Sequence, residues 1–212
     1  SLKDVDACTA ANMGKLVVND PTALYPCTAS AIVEVIDYYA EEIKEATRHQ
    51  YEKLPLASPG QEDDVCCGLD VCIINNSNVI GKPVSMMLTN RFATVSIVHH
   101  LTHGEVKNDY IQRADVVICA VPFKDTITAD MIKEGAVVID AAVIREKAFD
   151  DAGQPIMNEK TGRQKINTLG CCAPDVEEKA SWKTPVPGIG GITSALLAKN
   201  LIKACKLQNK IK

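Results

Sequence analysis

INNSNVIGKP, residues 74–83, is the stretch that decides the fold of this chain. It lies between two apolar runs, residues 69–74 and 93–99, and a helical pattern over residues 82–90 separates it from the second run. This order of strand, polar turn, helix and strand predicts the start of a dinucleotide-binding unit, in which the turn holds a pyrophosphate at the helix N-terminus. On spacing alone, a polar turn that caps a helix and binds nothing is an equal alternative.

The turn is poor in glycine. It keeps Gly81, but Asn75, Asn76 and Ser77 supply short polar side chains where a dinucleotide fingerprint has bare backbone. Asparagine tolerates left-handed backbone angles, so Asn75 or Asn76 can hold a tight turn. Ser77 can donate to a phosphate or cap the helix, and Pro83 suits the first helical turn.

Alternating strands and helices predict an α/β fold with a Rossmann-like, doubly wound parallel sheet. Near-continuous apolar runs predict strands buried on both faces over residues 69–74, 93–99, 114–121 and 136–142. Helices are predicted over residues 29–46, 82–90, 128–134 and 192–207. Polar composition predicts a loop or insertion over residues 47–64 and a surface hairpin or loop over residues 150–165. Thr28 is the predicted N-cap of the first helix, and Gly135 the residue that closes the third. Ligands bind beyond the carboxyl ends of such strands, so the residues that follow them are expected to meet in one crevice.

Composition narrows the classes of function. The 212 residues carry a net charge of −4, which argues against nucleic acid as a partner, and no apolar stretch is long enough for a membrane span. Nine cysteines without a CxxC motif predict neither a disulfide framework nor a zinc site, but reduced thiols in the cytoplasm or the mitochondrial matrix. Cys72 and Cys119 lie within apolar strands and are interpreted as core. His99, His100 and His103 lack an acidic or cysteine partner, so no metal site is predicted.

Seven motifs in order carry a family resemblance. They are KDVDA (3–7), PCT (26–28), NSNVIGKP (76–83), ATVSIVHH (93–100), RADVVICAV (113–121), IKEGAVVID (132–140) and TPVPG (184–188). Together they resemble the methylenetetrahydrofolate dehydrogenase/cyclohydrolase family. The resemblance implies a folate-binding α/β domain that faces a Rossmann-like cofactor domain across a cleft. It also implies oxidation of 5,10-methylenetetrahydrofolate with NADP or NAD by a homodimer, and in many members hydrolysis of the methenyl product.

The resemblance also implies site residues and domain limits. The implied substrate-binding residues are Asp6, Pro187 and Gly188. The implied cofactor-binding residues are Thr28, Asn75, Asn76, Ser77, His100, Val143, Gly190 and Thr193, and Thr193 matches the threonine that opens the last helix. Residues 1–28 are expected to be a remnant of the folate-binding domain with its linker, 29–191 the NAD(P)-binding domain, and 192–212 a helix that returns to the N-terminal domain. Asp140 is interpreted as a structural hydrogen-bonding group rather than a catalytic base.

The chain departs from the family pattern in four places. The Tyr-x-x-x-Lys motif that carries the cyclohydrolase chemistry is not found, so the catalytic residues stay unknown. The chain is therefore expected to be a C-terminal part, inactive alone. The family's G-R-S reads Asn75–Asn76–Ser77, which removes the arginine that pairs with the 2′-phosphate of NADP and makes NAD a serious candidate. The loop after TPVPG is one residue short, and G-I-N after the fourth strand reads Ala142–Val143–Ile144. A degenerate homologue, kept as a binding or structural subunit, is the alternative.

Overall fold

The computed structural model describes residues 3–47 and 64–209. It contains α1 (Ala10–Val17), α2 (Cys27–Tyr38), α3 (Ala40–Thr47), β1 (Asp70–Ile74), α4 (Gly81–Thr89), β2 (Thr94–Val98), α5 (Gly104–Arg113), β3 (Val116–Cys119), β4 (Val137–Asp140), β5 (Ile144–Lys147), β6 (Ile166–Leu169), β7 (Trp182–Lys183) and α6 (Ile189–Asn209). Two short 3-10 helices, Ala129–Met131 and Pro174–Glu178, complete it. No helix in these described ranges is long and apolar enough to cross a membrane.

Five parallel strands form the main sheet in the order β2-β1-β3-β4-β7. The chain leaves β1 to one side through α4 and β2, and then returns through α5 to place β3 on the other side of β1. The strand order therefore reverses between β1 and β3, where a crevice opens at the carboxyl ends of the strands. The predicted fold class is confirmed.

Both faces of the sheet are covered, because successive residues of each strand point to opposite sides. On one face, Val71 and Ile73 of β1 pack with α2, α4 and the start of α6. On the other face, Cys72 and Ile74 pack with Ile111 of α5 and with the segments around the two 3-10 helices. Burial on both faces explains why β1, β3 and β4 read as continuous apolar runs. For residues 93–99 the predicted burial on both faces was wrong, because β2 is the edge strand and is mostly half-buried.

Two helix predictions were wrong in extent. The helix predicted over residues 29–46 is divided at Tyr39, whose ring lies 3.9 Å from that of Trp182, measured between ring centroids. The helix predicted over residues 128–134 is only the 3-10 turn Ala129–Met131. Thr128 and Ile132 on either side of that turn have extended backbone angles, which limits the helical conformation to three residues. Gly135 does adopt the left-handed conformation expected of a closing residue, with φ +75°.

The sequence did not reveal α1, α5 or β5–β7. Strands β5 and β6 pair antiparallel outside the main sheet and carry on into the hairpin that the polar segment 150–165 had suggested. They are mostly exposed, so they lack the apolar signal of the buried strands. Most of the loop predicted over residues 47–64 lies outside the described residues.

Candidate functional site

Asn75 holds the polar turn together at the point where the strand order reverses. Its side-chain Oδ1 accepts hydrogen bonds from the backbone N–H groups of Ser77 (2.8 Å) and Gly81 (3.1 Å). Its Nδ2 donates to the backbone oxygen of Ala120, 2.7 Å away, directly after β3. One side chain thus fixes the turn internally and fastens it to the neighbouring strand.

Gly81 is required at the start of α4 by close backbone approach. A Cβ atom on this residue would lie 1.8 Å from the backbone oxygen of Asn75, far inside van der Waals contact. Ser77 accepts a hydrogen bond from the N–H of Ile80 at 3.1 Å within the turn. The N-cap of α4 is Ile80, without a side-chain hydrogen bond, so the predicted capping of the helix by Ser77 was wrong. The helix itself begins at Gly81 with Pro83 in its first turn.

Three further predicted cofactor residues lie exposed near the carboxyl edge. Asn76 is in the turn, His100 follows the end of β2, and Val143 follows the end of β4 with 52% of its surface exposed. The ring of His100 lies 6.0 Å from that of His99, which is itself fixed because its Nδ1 accepts from the N–H of Leu101. Since β2 and β4 flank β1 and β3, these side chains surround the reversal point.

Asp6 and the PCT motif meet at a second place. The thiol of Cys27 donates to the backbone oxygen of Val5 at 3.6 Å, and burial, with Asp6 nearby, raises the pKa of Cys27 to about 11. Asn200 of α6 donates to the same oxygen of Val5 and to that of Tyr25, each at 2.8 Å. In the sequence Asn200 interrupts the apolar pattern of the last helix, but in the structure it joins α6 to both segments.

The N-cap prediction for Thr28 was wrong. Helix α2 begins at Cys27, and Pro26 occupies the cap without a side-chain hydrogen bond. The backbone oxygen of Pro26 accepts from Ser30, so the helix starts earlier than the position of Thr28 had suggested. Thr28 lies half-buried in the first turn of the helix, beside the segment that carries Asp6.

Thr184 anchors the TPVPG loop to the end of β4. Its hydroxyl accepts from the N–H of Asp140 at 2.6 Å and lies 3.3 Å from the oxygen of the same residue. The Val186–Pro187 peptide bond is cis, and a Cβ atom on Gly188 would lie 2.5 Å from the backbone oxygen of Pro185. Gly188 also lines a groove of about 370 Å³ between this loop, α2 and α6.

The last helix opens earlier than predicted. Helix α6 begins at Ile189 rather than at Ile192, and the hydroxyl of Thr193 donates within the helix to the oxygen of Ile189 at 3.1 Å. Thr193 therefore does not open the helix. Gly190 is exposed in the first turn, where backbone N–H groups have no partner inside the helix.

Asp140 is a buried structural carboxylate, as interpreted from the sequence. It accepts hydrogen bonds from the N–H groups of Ala142, Cys171 and Cys172, and burial raises its pKa. Gly170 permits this arrangement, because a Cβ atom there would lie 1.9 Å from Oδ2 of Asp140. The carboxylate thus fixes the chain after β6 against the end of β4.

The predicted residues fall into two groups. Asn75, Asn76, Ser77, His100 and Val143 gather at the carboxyl edge around β1 and β3. A second set lies where the first described segment, the TPVPG loop and α6 come together: Asp6, Thr28, Pro187, Gly188, Gly190 and Thr193. Within the described ranges, no hydrogen bond joins the two groups.

Such a sheet, with a capped polar turn at its point of reversal, defines a dinucleotide-binding type of α/β domain. A family model, "Tetrahydrofolate dehydrogenase/cyclohydrolase, NAD(P)-binding domain", matches residues 61–209. The chain belongs to this family.

Relatives and solved structures agree. The chain is 35% identical to the bifunctional protein FolD of Nitrosopumilus maritimus, over 99% of its own length and 59% of that protein, and 37% identical to FolD of Rhodobacter capsulatus, over 98% and 57%. The bifunctional 5,10-methylenetetrahydrofolate dehydrogenase/cyclohydrolase of Thermoplasma acidophilum superposes with a TM-score of 0.72 at 27% identity, covering 99% of this chain and 60% of that one. The Trypanosoma brucei enzyme, solved with NADP and an inhibitor, gives 0.71 at 27% identity, covering 98% and 59%. The chain therefore spans about three fifths of the length of these proteins.

Proposed function

We propose that this chain forms the cofactor-binding part of an enzyme that oxidises 5,10-methylenetetrahydrofolate to 5,10-methenyltetrahydrofolate with NAD or NADP. Methenyltetrahydrofolate cyclohydrolase activity is proposed for the full-length protein only. The observation that carries the proposal is the family match over residues 61–209, combined with a polar turn located at the reversal point of the sheet.

The residues at the carboxyl edge fit a dinucleotide in position. Ser77 and Asn76 lie in the turn before α4, while His100 and Val143 line the ends of the neighbouring strands. A nicotinamide held by these side chains would supply the acceptor for a hydride from the methylene carbon of the folate. The protein's task in such a reaction is to orient the two partners. We assign orientation of the cofactor to these four side chains.

The second group of residues is assigned to the folate side. Asp6 is exposed and carries a carboxylate, which suits the donor-rich edge of a pterin. Pro187 and Gly188 lie in a loop fixed by Thr184, and Thr28, Gly190 and Thr193 belong to the two helices beside it. Asn200 holds α6 against the segment of Asp6 and thereby keeps this group together.

The choice between NAD and NADP depends on Asn76. It stands exposed where NADP-binding relatives carry an arginine, and an amide cannot supply the bidentate charged contact that a 2′-phosphate favours. NAD is favoured because Asn76 lacks the positive charge that would pair with the 2′-phosphate of NADP. The carboxylate that often binds the ribose diol of NAD is also missing at the end of β2.

A cofactor titration tests the proposal. The full chain is titrated with NAD and NADP to millimolar concentration while its Tm is recorded, because a ligand that binds only the folded state raises Tm. We expect NAD to raise Tm more than NADP. If neither nucleotide changes Tm, cofactor binding by this domain is refuted.

One observation favours a second candidate, a degenerate homologue that serves as a binding or structural subunit. The N–H groups of Ser77 and Gly81, which a phosphate would be expected to use, already donate to Asn75 within the turn. This subunit would give no Tm shift with either nucleotide and no dehydrogenase rate when combined with a folate-binding domain of the family.

The proposal extends to assembly and compartment. A homodimer is proposed, and β2, an edge strand of the main sheet, leaves one row of backbone groups available for pairing. Sedimentation equilibrium of the full chain measures the oligomeric state, and a monomer at all concentrations contradicts the dimer. The nine cysteines are free thiols, which supports a reducing compartment, the cytoplasm or the mitochondrial matrix. The domain limits 1–28, 29–191 and 192–212 are kept as proposals, with the helical boundary moved to Ile189.

A further inference from the structure

Three thiols from separate parts of the chain meet beside the sheet. Cys119 is the last residue of β3, and Cys171–Cys172 follow β6. Their sulfur atoms all lie within 4.8 Å of one another. Cys119 and Cys171 are fully buried, and Cys172 is partly buried. We call these residues the thiol cluster.

Asp140 lies beside the thiol cluster and fixes two of its members. It is the neighbour of Cys119 in the register of β3 and β4, and its Oδ1 accepts a hydrogen bond from the thiol of Cys171 at 3.3 Å. The same carboxylate accepts from the N–H groups of Cys171 and Cys172, so the backbone that carries both thiols is fixed. Because Cys119 is held in β3, the backbone positions of all three thiols are defined before any ion arrives.

The charge of Asp140 has no cationic partner. It is 1% exposed, and none of the ion pairs formed in residues 3–47 and 64–209 includes it. Buried carboxylates are normally paired with a cation or coordinate a metal. A cation held by the three thiols would lie beside this carboxylate and offset its charge.

The distances suit zinc. Zn–S bonds of about 2.3 Å in a tetrahedron place two sulfur atoms roughly 3.8 Å apart, and a carboxylate oxygen bound at about 2.0 Å lies roughly 3.5 Å from each sulfur. The observed limits are 4.8 Å between the sulfur atoms and 3.3 Å between Asp140 and Cys171. Movements of about 1 Å would bring the three sulfur atoms to zinc distances, whereas Asp140 does not lie within 4.8 Å of all three and stays outside the ligand set.

We propose that Cys119, Cys171 and Cys172 form a binding site for one zinc ion. Three thiolates occupy three of the four tetrahedral positions, and a ligand from solvent completes the set. The ion would join β3 to the segment after β6, directly beside Ala120, to which the polar turn is fastened. This inference does not depend on the proposed enzymatic function.

Metal titration of the full chain tests the site. The protein is purified under reducing conditions, stripped with a chelator and titrated with Cd²⁺, whose bonds to thiolates give an ultraviolet charge-transfer band. Competition with a chromophoric chelator then gives the stoichiometry and affinity for Zn²⁺. We expect one ion per chain and protection of three thiols from a thiol-reactive reagent.

Variants separate the thiol cluster from the other cysteines. Cys172→Ser changes a partly exposed residue and should weaken Zn²⁺ binding by more than about 100-fold, beyond the effect of losing an outer hydrogen bond to a ligand. Cys67→Ser is the matched control, because Cys67 is also the partly exposed second member of a vicinal pair. The affinity of this variant for Zn²⁺ should equal that of the wild type. Asp140→Asn keeps the shape of the side chain and should also weaken binding.

Three results would overturn the proposal. They are no Zn²⁺ binding by the folded wild type, equal loss of binding in Cys67→Ser and Cys172→Ser, and a disulfide within the thiol cluster of the protein as isolated. Circular dichroism of each variant shows whether it is folded. If Cys172→Ser does not fold, protection of the wild-type thiols by Zn²⁺, located by mass spectrometry, decides the assignment.

Discussion

Replacing Asn75 by alanine should loosen the turn between β1 and α4 without removing an apolar contact. The amide makes three hydrogen bonds, two as an acceptor from Ser77 and Gly81 and one as a donor to Ala120. Their lengths, 2.7–3.1 Å, are those of well-formed bonds. Alanine leaves all three backbone partners without this side chain.

The size of the effect follows from these bonds. A neutral hydrogen bond contributes about 1 kcal/mol to the free energy of unfolding, so Asn75→Ala should lower it by about 3 kcal/mol. For a chain of this size the corresponding fall in Tm is roughly 6–12 °C. The variant should also weaken any nucleotide binding at the turn, because the backbone there loses its fixed conformation.

Urea unfolding followed by circular dichroism measures the change, and two variants serve as controls. Asn75→Asp keeps the acceptor for Ser77 and Gly81 but places an oxygen against the backbone oxygen of Ala120, and should lose about 1–2 kcal/mol. Asn76→Ala changes an exposed neighbour in the same turn and should stay within about 0.5 kcal/mol of wild type.

The reasoning is refuted if Asn75→Ala unfolds within about 0.5 kcal/mol of wild type. It is also refuted if Asn76→Ala is as destabilised as Asn75→Ala, since the effect would then belong to the turn as a whole. If Asn75→Asp has the wild-type free energy of unfolding while Asn75→Ala is strongly destabilised, the hydrogen bond to Ala120 contributes nothing, and the stabilisation comes from the bonds of Ser77 and Gly81.

Three further predictions concern other residues. Asn76→Arg should shift preference toward NADP, measured as the ratio of Tm increases with the two nucleotides, and an unchanged ratio contradicts the assigned role. Phe92→Gly should raise stability by about 0.5–1 kcal/mol, because Phe92 has φ +64° and is 58% exposed; Phe92→Ala keeps the strain, and an equal gain there would contradict the explanation. Burial opposes ionisation of Asp64, but hydrogen bonds from Arg91 outweigh it and lower its pKa below 3.8, so Arg91→Met should lose about 2 kcal/mol at pH 7. A lowered folded-state pKa stabilises above the unfolded value, so this difference should shrink as the pH falls below about 4, and urea midpoints that differ equally at pH 3 and pH 7 would contradict it.

Much of the fold was predictable because its signals are local. Strands β1, β3 and β4 are buried on both faces, so each is a continuous apolar run. The predicted limits lie within two residues of these three strands and of the edge strand β2. The turn residues and Gly81 are adjacent in sequence, so their grouping was predictable too. The split of the first helix at Tyr39 was not, because it accompanies a contact with Trp182 far along the chain.

The sequence predicted which residues belong to the candidate site, but not what each side chain contacts. Asn75 was selected as a position that replaces glycine, but its role as the bridge to Ala120 requires β3 to lie beside β1. Asn200 looked like an interruption of an apolar pattern, because its partners Val5 and Tyr25 lie near the other end of the chain. Cys119 looked like ordinary core, because Cys171 and Cys172 come to it only through the chain after β6.

The sequence by itself determined the α/β class, the polar turn, the family and the residues expected near a cofactor. These depend on apolar periodicity, turn chemistry and motif order, which are properties of neighbouring residues. The tertiary structure alone decided which side chains meet: Asn75 with Ala120, Asn200 with the Asp6 segment, and Asp140 with the thiol cluster. The physical reason is that hydrogen bonds and metal coordination act over about 2–3.5 Å, and only the folded chain brings residues so distant in sequence within that range.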